Sequence, residues 1–196
     1  MTESITFEAW PKIARLNRGM VITEKIDGTN AAVIITEDGL VGAQSRTRLI
    51  TPENDNYGFA RWVAEHAGAL ADTLGPGRHF GEWWGSGIQR RYGLSGGDKR
   101  LSLFNTARWS DADLSAVPGL ALVPVLATGN FSTDTISETV ERLRTFGSAA
   151  APGFMDPEGI VVYLSAARTS FKVTLKGDEA PKGAAGHALD EERPAA

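Results

Sequence analysis

The chain has 196 residues, 42% hydrophobic and 22% charged, which suits one ordinary domain able to bury about 70% of its unfolded surface. A net charge of −4 opposes bulk attraction to phosphate, the absence of cysteine excludes disulfides, thiolate zinc sites and thiol nucleophiles, and no apolar run approaches the ~20 residues of a bilayer span. Residues 178–196 hold five acids against Lys182 and Arg193, so they carry −3 of that charge and residues 1–177 are nearly neutral.

In chain order, Met1-Thr2-Glu3-Ser4-Ile5 lacks the basic-then-apolar order of a signal peptide, and a cytoplasmic location is expected. Residues 20–24 read as a strand that delivers Lys25 to a turn made by Ile26-Asp27-Gly28. A free lysine titrates near ~10.4, so such an amine becomes a nucleophile at neutral pH only where burial or nearby cations lower that value. Residues 30–36 and 40–45 read as strands joined by the turn Glu37-Asp38-Gly39. Phe59, Trp62, Val63, Ala67 and Leu70 recur at helical spacing, predicting one helix over 57–74 that Gly75-Pro76-Gly77 stops.

A strand is expected over 79–84, where Glu82 lies between aromatic residues and glycine, and a buried acid there needs a partner. Arg78, Arg90, Arg91, Lys99 and Arg100 gather within 23 residues and can form a local basic rim. Gly93-Leu94-Ser95-Gly96-Gly97 fits the serine-hydrolase elbow in letters only: no buried strand precedes it, and His187 is the only histidine after it. His66 and His79 lack metal-ligand spacing and read as structural residues. Strands follow at 101–105 and 121–126, then Thr135-Ile136-Ser137-Glu138 matches a capping box opening a helix with Ile136, Val140 and Leu143 on one face. Strands at 159–164 and 170–175 close the domain. In the second, Lys172, Thr174 and Lys176 alternate with Phe171, Val173 and Leu175, so both amines are expected on one face. Residues 178–196 read as an acidic, flexible tail. Consecutive hairpins with few helices predict an α+β fold of antiparallel sheets flanked by helices, and neither phosphate-cradling glycine loop occurs.

Lys25-Ile26-Asp27-Gly28 resembles the nucleophile motif of the covalent nucleotidyltransferases, which comprise ATP-dependent DNA and RNA ligases and messenger-RNA capping enzymes. Five further strings occur in that superfamily's order. Ser45-Arg46-Thr47-Arg48 resembles the element whose arginine contacts ribose or polynucleotide, with either Arg46 or Arg48 eligible. Phe80-Gly81-Glu82-Trp83-Trp84-Gly85 resembles the motif whose glutamate reads the ribose and helps organise metal. Asp156-Pro157-Glu158-Gly159 followed by an apolar run resembles the motif whose glutamate serves a divalent metal, and Phe171-Lys172-Val173-Thr174-Leu175-Lys176 resembles the one whose lysines grip the α-phosphate. That motif commonly reads Lys-x-Lys, whereas Thr174 stands between here. Leu101-Ser102-Leu103-Phe104-Asn105 resembles the RNA-ligase element in which an aromatic ring, here Phe104, stacks on adenine.

The resemblance spans about 20–176 and, through Glu24-Lys25-x-Asp27-Gly28-Thr29-Asn30, is similar to the branch of phage T4 RNA ligase 2. It implies an adenylyltransferase-type domain over 1–177 without the family's C-terminal domain. It further implies an ATP-dependent RNA ligase using Mg2+ or Mn2+. Lys25 would carry AMP; Asp27, Glu82, Glu158, Lys172 and Lys176 would be catalytic, Glu158 and Glu82 at the metal. Glu24 would contact adenine and Asn30 would serve the phosphate steps. Partners would be nucleic acids with 5′-phosphate and 3′-hydroxyl ends, RNA favoured over DNA, and no membrane. A capping-type guanylyltransferase, an adenylyltransferase with a non-nucleic-acid acceptor and a silent nucleotide-binding module are the alternatives.

Overall fold

The computed structural model describes residues 6–13 and 18–176. The tail predicted for 178–196 lies outside the described residues. Among the described residues, ten strands form two sheets, accompanied by three α-helices and one 3-10 turn. In chain order these are β1 (Gly19–Lys25), β2 (Thr29–Ile35), β3 (Val41–Ser45), β4 (Leu49–Ile50), α1 (Phe59–Glu65), α2 (Ala67–Leu74), β5 (Gly77–Gly85), the 3-10 turn Arg91–Gly93, β6 (Lys99–Leu103), β7 (Leu120–Leu122), β8 (Val125–Asn130), α3 (Thr133–Phe146), β9 (Gly159–Leu164) and β10 (Thr169–Thr174). One sheet has the order β10-β9-β1-β8, the other β4-β3-β2-β5-β6-β7. Every pairing is antiparallel except β6 with β7, so the α+β architecture is as expected with one parallel pair added. Among the described residues no helix is long and apolar enough to cross a membrane.

Alternation assigns each sheet a core face and an open face. The six-stranded sheet turns Ala31, Val33, Trp83, Leu101 and Leu103 toward α1 and α2, where Phe59, Val63, Leu70 and Leu74 complete the main core. The four-stranded sheet turns Met20, Ile22, Ile160 and Val162 toward α3, which returns Ile136, Val140 and Leu143, the three residues expected on one face. A third cluster, Ile26, Trp84, Tyr92, Val123 and Ala151, lies where the sheets meet. The chain passes between sheets at Ile26–Gly28 and again at Val123-Pro124, and both crossings run through this junction.

Three local expectations are corrected. The helix over 57–74 is two helices broken at His66, whose φ of −111° and ψ of 15° are non-helical. The His66 ring Nδ1 sits 2.8 Å from the Trp62 carbonyl that the His66 backbone N–H also engages, so side chain and backbone compete for one acceptor. The strand over 121–126 is two strands in different sheets, because Pro124 has no N–H to continue a ladder. The cap of α3 is Ser132, whose Oγ accepts from the Thr135 N–H at 3.2 Å, so the helix opens three residues earlier than the predicted box would have it.

Gly159 shows how tightly the four-stranded sheet is drawn at the end where Lys25 lies. A Cβ there would stand 2.1 Å from the Val173 carbonyl oxygen and 2.8 Å from the Thr174 Cα. Both are backbone atoms held by pairing, so they cannot yield without opening the β9–β10 ladder. Gly159→Ala is expected to cost about 1–3 kcal/mol, read as a lowered urea midpoint with an unchanged m-value.

Candidate active site

Lys25 is the last residue of β1 and pairs with Gly159 of β9, which in turn pairs with Thr174 of β10. Its side chain therefore rises on the open face, opposite the face that packs on α3. Glu158 immediately precedes β9, and its Oε2 lies 2.6 Å from Lys25 Nζ. That oxygen is buried and receives no directed hydrogen bond, so the contact is one of charge alone. A buried carboxylate oxygen without a donor fits a cation at this position. Among the described residues no group of three or more His, Asp or Glu is arranged to hold a metal. Glu158 could supply one carboxylate to an ion that takes only one or two from a protein.

Glu82 reaches the same place from the other sheet. It lies opposite Asn30 in the β2–β5 pair, and its two oxygens accept from the Gly28 N–H at 3.1 Å and Asn30 Nδ2 at 3.0 Å. Burial pushes its carboxyl up to about 7, against the pull of the Lys25 charge and those hydrogen bonds and with some help from the Glu158 charge. Gly28 is required here by space: a Cβ would stand 2.4 Å from the Trp83 carbonyl oxygen and 2.8 Å from the Trp84 Cβ. The glycine of the Lys-x-Asp-Gly string is what lets the turn press flat on β5.

Asp27 points the other way. Its Oδ2 accepts from Arg90 Nε at 3.0 Å, while Arg90 Nη1 lies 3.0 Å from Asp156 Oδ1. Its backbone N–H donates to the Tyr92 hydroxyl at 2.9 Å. Asp27 thus fastens the turn. Tyr92 stays a neutral phenol, because burial pushes its ionisation up beyond any physiological range. It also sits in the left-handed region with φ 49° and ψ 35°, a strain of about 1–3 kcal/mol for a side chain of this size.

Glu24 is placed away from the cleft. It is 1% exposed on the face opposite Lys25, and its oxygens accept from Ser148 Oγ at 2.6 Å and from the N–H groups of Ala149 and Ala150 at 2.8 and 2.9 Å. Burial raises its carboxyl, and the three hydrogen bonds oppose that rise. Lys172 does share the open face, in register with Val161 and through it with Thr23. Lys176 does not share its strand: β10 ends at Thr174, which is buried, and Lys176 Nζ pairs with Asp156 at 3.0 Å. Phe171, expected on the packed face, is half exposed.

Beside Glu82 on the open face of the six-stranded sheet is a cavity of about 300 Å³ lined by Asn30, Ala32, Gln44, Arg46, Phe80 and Phe104. This separates the two arginines left open by the sequence. Arg46 lines the cavity, while Arg48 Nη1 is spent on the Asn54 carbonyl at 3.1 Å. Phe80 was not singled out from sequence, although the alternation Phe80-Gly81-Glu82 places it on the same face as Glu82. Its ring is 51% exposed and that of Phe104 45%, and their backbones are joined by a Phe104 N–H to Phe80 C=O bond of 2.9 Å. A second cavity of about 420 Å³ opens on the far side of Tyr92, between Leu94, Arg100 and Phe154. The basic rim is not continuous: Arg90 turns inward, Lys99 Nζ donates to the Tyr57 carbonyl, and Arg100 pairs with Asp98. His79 is buried with Nε2 2.9 Å from the Gly75 carbonyl, as a structural residue would be.

A family model described as RNA ligase matches residues 18–174. Among solved structures, a lysine-to-methionine variant of Naegleria gruberi RNA ligase with AMP and Mn is 19% identical with a TM-score of 0.56, over 80% of this chain and 49% of that one. A lysine-to-alanine variant with ATP and Mn is 18% identical with a TM-score of 0.55, over 80% and 50%. The same ligase with pyrophosphate gives 19%, 0.55, 80% and 49%. The chain spans about half the length of these proteins. No curated protein matches it.

The Glu82 carboxyl makes stability depend on pH with a definite sign. Its folded value of about 7 lies above the ordinary 4.5, so between those values the unfolded chain has released a proton that the folded chain keeps. Stability from this group therefore falls as pH rises through that window, by on the order of 2–3 kcal/mol. His79, lowered by burial, acts oppositely below 6.5, so the diagnostic is a comparison. Denaturation curves collected from pH 4.5 to 7.5 without divalent ions should fall more steeply for the native chain than for Glu82→Gln; parallel curves would refute the assignment.

Proposed function

This chain belongs to the RNA ligase family, and from that membership we propose that it is an ATP-dependent RNA ligase module that carries AMP on Lys25. The observation that supports this reading is the convergence of Lys25, Glu158 and Glu82 from two sheets beside a cavity bearing two exposed aromatic rings and Arg46. The Naegleria structures with ATP or AMP and Mn support ATP as co-substrate and a divalent ion as cofactor. The narrower likeness to the phage T4 RNA ligase 2 branch, a cytoplasmic location and a preference for RNA ends are parts of the same proposal.

Lys25 first leaves its ion pair with Glu158 and releases a proton to water, because an ammonium has no free lone pair. The neutral Lys25 Nζ then attacks the α-phosphorus of ATP: a P–N bond forms, the bond to the bridging oxygen breaks with its electron pair, pyrophosphate leaves and the nitrogen gives its second proton to water. AMP next passes to a polynucleotide 5′-phosphate, regenerating Lys25, and a 3′-hydroxyl displaces AMP to form the phosphodiester. Splitting the reaction in this way is what makes the lysine necessary. Glu158, with Glu82, would hold Mg2+ or Mn2+, and such an ion when bound offsets negative charge on the phosphates. Glu82 also holds the Gly28 N–H and Asn30, so the group that faces the substrate fixes the nucleophile's turn. The cavity walls Phe80 and Phe104 offer π-faces to a base, and Arg46 offers a planar cation to ribose or phosphate. Lys172 adds positive charge on the open face where phosphate must lie.

The test is incubation with α-labelled ATP and Mg2+ or Mn2+. An acid-labile, base-stable labelled protein is expected, at least ~10²-fold reduced in Lys25→Ala. Labelled GTP should give no adduct, and its use in place of ATP would redirect the reading to capping chemistry. Addition of 5′-phosphorylated RNA should discharge the label and yield joined product; discharge onto DNA alone, or onto no polynucleotide, would overturn the RNA assignment.

A further inference from the structure

The turn between β5 and β6 is strained, and the strain is aimed at the backbone of Lys25. Gln89, Arg91 and Tyr92 have φ of 42°, 60° and 49°. Non-glycine residues rarely occupy this region, and three within four positions persist only where the surroundings over-determine them. The Tyr92 ring is 2% exposed and packs edge-on against Trp84 with centroids 5.3 Å apart and against Phe154 at 4.6 Å. From that socket its hydroxyl accepts from the Asp27 N–H at 2.9 Å and faces the Lys25 carbonyl at 3.5 Å. One phenol therefore touches the chain on both sides of Ile26.

The neighbouring ladder explains why such a contact is needed. The ladder with β8 slips at a bulge between Ile22 and Thr23, its side of β1 makes one last bond from the Glu24 N–H to the Pro124 carbonyl at 2.9 Å, and Lys25 is paired on one side alone, with Gly159. Tyr92 holds the backbone just where the second strand leaves. Arg90 extends the hold: Nε donates to Asp27 Oδ2, and Nη1 donates to the Asp156 carbonyl at 3.0 Å, two residues before Glu158. A lysine side chain is a flexible four-carbon stem, so the position of its amine is only as definite as the backbone from which it springs.

We propose that Tyr92, backed by Arg90, is a positioning residue that fixes the Lys25–Asp27 backbone so that the amine enters between Glu158 and Glu82 in line with the phosphorus it attacks. This rests on Lys25 being the adenylylated residue. The hydroxyl contributes to the transition state through orientation, not through binding of ATP. Misplacement of a reacting group by about 1 Å can lower a rate ~10²-fold.

Tyr92→Phe keeps the ring and removes only the hydroxyl. Single-turnover formation of the Lys25 adduct should slow by between ~10-fold and ~100-fold, with the KM for ATP unchanged and the Asp27 amide exchanging faster with solvent deuterium. Arg90→Lys, which keeps the charge but loses the two-ended hydrogen bonding, should show the same split and serves as the second measure if Tyr92→Phe does not fold. Native rates in both variants, or slowing matched by a raised KM with unchanged Asp27 exchange, would overturn the proposal. A native chain that forms no adduct would instead overturn the reading of Lys25, and the clamp's catalytic purpose with it, even if Asp27 exchange still rose in Tyr92→Phe.

Discussion

The site depends on a three-residue crossing that has no spare room. β1 and β2 are consecutive in the chain yet belong to different sheets, and Ile26, Asp27 and Gly28 alone span the gap. Ile26 is buried in the junction cluster, Asp27 is held by Arg90, and Gly28 lies so close to Trp83 and Trp84 that no side chain fits. A crossing this short brings the end of one sheet against the face of the other. Lys25 from the first and Glu82 from the second then meet as a consequence of chain length, and no long loop has to close over them.

Burial and charge are balanced around that meeting point. Glu82 and Glu158 are carboxylates in a partly water-excluded cleft, a placement that is unfavourable unless cations or donors compensate. Lys25 answers both, and Gly28 N–H and Asn30 answer Glu82. Glu158 Oε2 remains without a directed donor, so the site retains a demand for positive charge beyond the Lys25 amine. Glu24 is the counterexample one residue away. On the opposite face it is hydrogen-bonded at both oxygens and pins residues 148–150 against β1, because strand alternation turns it away from the cleft into which Lys25 rises.

The places where local pattern misleads have physical causes of one kind. Residues 57–74 satisfy a helical period throughout, and His66 breaks the helix because its ring finds a carbonyl that periodicity does not register. Residues 121–126 are uniformly strand-like, yet Pro124 makes them leave one sheet and join another. Lys172 and Lys176 alternate correctly, but the strand that would carry the alternation stops at Thr174 and Asp156 captures the second lysine. In each case a single contact outside the pattern outweighs a weak propensity summed along it.

The amino-acid sequence by itself determined the kinds and order of the reactive groups, the strands that carry most of them, and the face that Lys172 takes, because side-chain alternation and turn glycines are local properties that survive without tertiary information. Its resemblance to the nucleotidyltransferases was legible for the same reason: Lys25, Glu82 and Glu158 each sit in a short string. The tertiary structure alone decided which partners those groups take. Tyr92 bonds the backbone 65 residues before it, Arg90 reaches Asp27 across 63, and Glu24 meets Ser148 across 124. Such contacts depend on sheet register and on the crossing between sheets, and neither is encoded in the spacing of residues along a single strand.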